Sequence, residues 1–175
     1  MGMMADRELK EEIPVEIPCD DNENTQNVDY ERIEDHDEFL AFNLDMAKNI
    51  GILDGGASKS AGGIRLLETL QGECVKHGVE MDVKKSQIEF TFADGEREPA
   101  GSAISFPLAS LDNERVLINC VDKPTPILLG LDFHRQLGCV VDYQYNTCWS
   151  YKLGRFLSVV ELPSRHLGLP LAPLQ

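Results

Sequence analysis

The sequence has no C-x-x-C pair, no apolar run of membrane-spanning length and, over its first quarter, almost no bases. Each shortage closes off a class of protein. Five cysteines (Cys19, Cys74, Cys120, Cys139 and Cys148) are odd in number and lack paired spacing. That argues against a disulfide framework and a zinc site, and it suits a reducing compartment. All but Cys19 read as small core hydrophobes. The N-terminus has no apolar core of signal-peptide length, and no stretch nears the roughly 20 apolar residues that a membrane crossing needs. The expectation is a soluble, intracellular, cytoplasmic protein with no membrane partner.

Bases are scarce where acids are dense. The net charge is −14, and residues 1–47 hold 15 acids against three bases, a net of −12. Residues 48–175 hold 15 acids against 13 bases, a net of −2. No basic patch offers itself to nucleic acid, so no direct nucleic-acid partner is expected. The acids of 1–47 repel one another, and Pro14 and Pro18 interrupt any regular element, so this head is expected to be disordered. Within it, Ile33, Phe39, Leu40 and Phe42 fit either a short helical piece or an edge segment lying on the domain.

Against that background stands Ile50-Gly51-Ile52-Leu53-Asp54-Gly55-Gly56-Ala57-Ser58. Ile50 to Leu53 reads as a buried strand of about four residues. It ends on one carboxylate, and two glycines let the backbone turn sharply and bring N–H groups to it. A partly desolvated acid so placed can do acid–base work; Asp-Gly-Gly is also an ordinary turn. Lys59-Ser60 does not complete G-x-x-x-x-G-K-[ST], so no phosphate loop follows. Neither a cofactor nor a metal is implied.

Further on, Ile64, Leu67, Leu70 and Cys74 have helical spacing, with Gly78 as a stop and His77 as a helix-end cation. Ile88, Phe90 and Phe92 alternate with polar residues, as do Ile104, Phe106 and Leu108, and Arg115 to Val121 forms another strand. The glycine-bearing hairpin from Asp94 to Ser105 fits a mobile flap or an ordinary solvent-facing hairpin. Strand and turn at this density predict a compact antiparallel β domain. A second marker is Ile127-Leu128-Leu129-Gly130-Leu131-Asp132-Phe133: an apolar strand, a glycine, then a short helix from Asp132 to Leu137 closed by Gly138. Cys139 to Val141 is a further strand, leading into Asp142-Tyr143.

The two markers, Asp54-x-Gly56-Ala57-Ser58 and Ile127-Leu128-Leu129-Gly130-x-Asp132-Phe133, stand in this order with Gly130 76 residues after Asp54. Together with Gln136-Leu137-Gly138-Cys139-Val140-Val141-Asp142-Tyr143, they make residues 48–162 resemble the retropepsin-like aspartic proteases. The likeness is greatest to the protease region of copia-type retrotransposon polyproteins. It implies an all-β acid-protease fold, a closed β-barrel with one or two short helices, flanked by the acidic segment 1–47 and a C-terminal tail, 163–175. It also implies an aspartic endopeptidase that works as a homodimer on a polypeptide, its own retrotransposon polyprotein included, in the cytoplasm or a retrotransposon particle.

Asp54 matches the family's catalytic aspartate. Gly55, Gly56, Ala57 and Ser58 would support its turn, and Leu128, Leu129 and Gly130 would pack beneath it as the structural second motif. Asp132 reads as a helix-capping or structural acid. The chain departs from the family at Gly55, where Thr or Ser usually carries a hydroxyl that braces the two turns across the dimer axis. The alternative is therefore a retropepsin-like module that keeps the fold and the pairing but does not cut.

Overall fold

The computed structural model describes residues 47–92 and 95–172. The acidic segment up to residue 46, with Cys19 and the 33–42 apolar cluster, lies outside the described residues, as do 93–94 and 173–175. The described chain is mostly β-structure with two helices.

Its centre is a strand inserted between two others. β1 (Ile50–Leu53) and β2 (Ala61–Gly63) flank the Asp54 turn, and β8 (Ile127–Leu129) runs between them. β8 lies parallel to β1, with Leu53 opposite Leu129, and antiparallel to β2, with Leu128 opposite Ala61. Glycine makes the tight fit possible. A Cβ on Gly51 would lie 2.7 Å from Leu129 Cγ, and one on Gly130 would lie 2.7–2.8 Å from the backbone of Ala57 and Lys59.

The sheet extends both ways from this centre. Beyond β2 come β7 (Glu114–Val121), β6 (Ser102–Leu108) and β3 (Asp82–Lys85). In the first half of β7, Val116 and Ile118 are buried while Arg115 and Leu117 face out, the period of a half-buried strand. The turn before β7 uses Asp112 and Asn113 at φ 55° and 64°, a left-handed conformation that Asp and Asn tolerate. Beyond β1 come β13 (Leu167–Pro170) and β12 (Val160–Glu161).

Two expectations need correction here. Residues 163–175 are not merely a tail: β13 pairs antiparallel with β1, and Leu167, Leu169 and Leu171 are almost wholly buried. Their period-two spacing is that of a strand. The sheet is also not a closed barrel, since β12 and β3 are its two edges. β12 is only two residues long, and all four residues of β3 are exposed, three of them charged. A short strand and a charged strand are how sheets blunt their edges.

Helix α1 (Ile64–Lys76) buries Leu67, Leu70 and Cys74 and leaves Ile64 exposed. It stops where Gly78 turns left-handed at φ 69°, with Lys76 bound to Glu73 at 2.7 Å and His77 Nδ1 2.9 Å from the Glu73 carbonyl. Helix α2 (Leu131–Leu137) buries Phe133 and Leu137 and ends on Gly138 at φ 61°. A three-stranded sheet of β9 (Cys139–Asp142), β10 (Thr147–Ser150) and β11 (Arg155–Phe156) follows, its outer face carrying Trp149 edge-on to Phe156. The hairpin β4 (Glu89–Thr91) and β5 (Arg97–Pro99) pairs on its own. Phe106, Ile118, Ile127, Leu129, Leu137 and Leu167 belong to one core that lies behind the Asp54 turn.

Candidate active site

Asp54 is the first residue past β1, and its N–H donates to the Leu129 carbonyl at 3.0 Å. One side-chain oxygen, Oδ1, accepts the Gly56 N–H at 2.8 Å. Gly55, Gly56, Ser58 and Lys59 are exposed, and Asp54 and Ala57 are half-buried. The carboxylate thus stands at the surface with one backbone donor. A Cβ on Gly55 would have nothing within 4 Å, so open space lies where the family carries its hydroxyl.

The turn is held from below by a clamp. Ser60 is 1 % exposed, and its hydroxyl donates to Asp132 Oδ1 at 2.8 Å while accepting the Gly130 N–H at 3.0 Å. Asp132 Oδ1 also accepts the N–H groups of Ser60 and Phe133, both at 2.9 Å. The Ala57 carbonyl takes the Leu131 N–H at 2.8 Å, and the Ser60 carbonyl takes both the N–H and the side-chain amide of Asn119. The Asn119 oxygen accepts the Ser86 hydroxyl at 2.9 Å, which carries the network toward the start of the β4–β5 hairpin. The second motif is therefore joined to the Asp54 turn by backbone pairing, close glycine contact and a shared serine. Leu129 and Gly130 are buried in that joint, and Leu128 is half-buried on the other face beside Ile52 and Leu162.

The sequence marks Ser60 only as the end of an incomplete phosphate-loop pattern, and Asn119 not at all. A lone Ser and a lone Asn within short strands carry no periodic mark, and only the insertion of β8 shows that they must satisfy buried backbone groups. Asp132 is not the N-cap, which is Gly130; it sits in the first turn of the helix, where its side chain is the acceptor of the clamp. The β4–β5 hairpin is tied at Lys123, whose backbone N–H reaches Glu98 at 2.8 Å and whose ammonium meets Glu96 at 2.9 Å and lies over the Phe92 ring.

His134, on α2, has its Nε2 buried with no partner among the described residues. Burial holds its imidazole below the ordinary 6.5, against the opposing pull of the Leu129 carbonyl and the charges of Asp54 and Asp132. The described cysteines are free thiols. Cys139 and Cys148 hydrogen-bond each other across β9 and β10, which together with burial pushes the Cys139 thiol far above the usual range. Burial also raises Cys74.

Among the described residues no group of three His, Cys, Asp or Glu is placed to hold a metal, and no helix is long and apolar enough to cross a membrane. Two clefts, about 460 and 640 Å³, lie by the start of α1 and by its end, and Asp54 lines neither. Comparison with family models, with characterised proteins and with solved structures returns no match.

Proposed function

We propose that this chain is an aspartic endopeptidase of retropepsin type, acting as a homodimer in which each copy contributes Asp54. The observation that carries the reading is the joint itself: an acid at a strand end, with β8 and its Gly130 threaded between the strands entering and leaving the turn. Asp54 stands half-exposed at the surface of one copy and lines neither cleft, which suits half of a site that a second copy completes.

Two carboxylates about 3 Å apart cannot both ionise, so such a pair holds one proton between them. The ionised member takes a proton from water as the water oxygen attacks the peptide carbonyl carbon. The protonated member donates to the carbonyl oxygen, giving a tetrahedral intermediate, and return of a proton to the amide nitrogen lets the C–N bond break. The apparent pKa values belong to the pair. The substrate is a polypeptide, and by resemblance the chain's own retrotransposon polyprotein.

Gly55 supports a second reading, a module that keeps the fold and the pairing without turnover, because no side chain there can brace the turns. Incubating the full-length protein with an unfolded protein substrate from about pH 4 to 7, beside its Asp54→Asn variant, separates the two. Cleavage by the parent alone establishes the protease. Silence from both, with each folded and dimeric, leaves the non-cutting module.

A further inference from the structure

The cleft at the start of α1 is walled by polar groups that the fold leaves unused. Its lining joins Lys48, ahead of β1, to the opening residues of the helix and to the loop that follows β7. At about 460 Å³ it has the size of a small-molecule site. Ile64, Leu66 and Pro124 give it an apolar side.

The first four N–H groups of a helix have no partner within it. Here no side chain caps them, and the first turn holds no acid. Packing shuts a cap out: a Cβ on Gly63, the N-cap, would lie 2.9 Å from the Thr125 carbonyl and 3.0 Å from the Thr125 nitrogen. The Gly63 N–H is spent on that same carbonyl at 3.1 Å. The positive end of a 13-residue helix therefore opens on the cleft through Arg65 and Leu66.

Thr125 faces it from the loop. This residue is only 8 % exposed and lines the cleft, yet its hydroxyl makes no hydrogen bond among the described residues. A hydroxyl so enclosed is ordinarily paired. Lys48 and Arg65 are exposed on the lining and form no ion pair among the described residues. The other polar groups are engaged: Lys123 holds Glu96 at 2.9 Å, and the Thr69 hydroxyl donates to the Arg65 carbonyl at 3.0 Å. Asp122 opposes the two cations, but they and the helix end outweigh it.

We propose that this cleft binds a small organic phosphate monoester. The phosphate oxygens take the N–H groups of Arg65 and Leu66 and the Thr125 hydroxyl, the side chains of Lys48 and Arg65 close over them, and the organic part rests on Ile64, Leu66 and Pro124. Donors arriving from both the helix and the loop suit the three acceptor oxygens of a phosphate better than the two coplanar ones of a carboxylate. A long polyanion such as nucleic acid is repelled by a chain of net charge −14, whereas a small anion feels mainly the groups within about 8 Å. The site is separate from Asp54 and does not depend on the protease reading.

The test is a proton–nitrogen NMR titration of the full-length protein with phenyl phosphate, at neutral pH and fixed ionic strength in chloride. The amide signals of Arg65 and Leu66 should shift and saturate, phenol should leave them in place, and benzoate should bind about tenfold more weakly. Lys48 and Arg65 are exposed, so Lys48→Gln and Arg65→Gln should fold normally, and each should weaken binding about tenfold. Thr125→Val should weaken it about threefold, and Asp122→Asn should strengthen it by a similar factor. Shifts that never saturate, or an affinity unchanged in both Lys48→Gln and Arg65→Gln, overturn the proposal. Benzoate binding as tightly as phenyl phosphate overturns the assignment to a phosphate, as does a short DNA duplex that moves the same signals at lower concentration.

Discussion

Two aspartates sit on the two sides of one joint, and they are treated oppositely. Asp132 accepts three hydrogen bonds through one oxygen, two of them from Ser60, and is locked into the fold. Asp54 accepts one, from an exposed glycine, and stands at the surface. Three donors on one carboxylate oxygen fix that side chain in place. A single donor leaves the other lone pairs of Asp54 open at the surface. The difference marks which acid the fold uses for its own assembly and which it leaves uncommitted.

Substitutions can break this contrast from either side. Asp54→Asn should abolish peptide cleavage, by about a thousandfold or more, while the thermal midpoint stays close to the parent's. A comparable loss of stability would place Asp54 with Asp132 as a structural acid. Ser60→Ala should do the opposite. It strands the buried Gly130 N–H and removes one donor from Asp132, so urea unfolding should show a loss of about 2–3 kcal/mol.

Smaller effects sharpen the contrast. Space is open at Gly55 and its backbone is not left-handed, so Gly55→Thr should fold normally and raise cleavage by about tenfold through a better-held turn. A drop in rate would mean that the turn is built for glycine. The last effect is a slope rather than a step. Burial holds His134 below 6.5 in the folded chain, so the unfolded chain binds its proton more readily. The stability due to the neutral ring is complete above the unfolded value and is lost as pH falls through the folded one. His134→Leu should flatten the dependence of the unfolding midpoint over this window, and an unchanged slope would assign the acid sensitivity elsewhere.

What could be read from the sequence depended on whether a segment carried its own reason to fold. The apolar runs of β1 and β8 and the caps at Gly78 and Gly138 are local signals, and so is the spacing of Leu67, Leu70 and Cys74 on α1. β2 has none: Ala61-Gly62-Gly63 is a strand because β8 and β7 lie on either side of it. β3 is four exposed residues whose pairing comes from β6. β13 carried a strand pattern in Leu167, Leu169 and Leu171, but it followed a stretch that looked like a domain end. Of the candidate site, Asp54 and the second motif stood out through their glycines, whereas Ser60, Asn119 and His134 are single residues whose meaning depends on what folds against them.

β13 also bears on how the domain can be made. β1 precedes every other described strand of the sheet in a chain grown from its N-terminus, whereas the strand that covers its outer flank follows all of them. Until then β1 has an open edge beside Asp54, and pairing it requires closing nearly the whole domain into one loop, a slow, non-local contact. A nascent chain interrupted before Leu167 would carry both motifs and an incomplete sheet. Docking of Leu167 to Pro170 therefore closes the flank of the strand that leads into Asp54 with residues more than a hundred positions downstream.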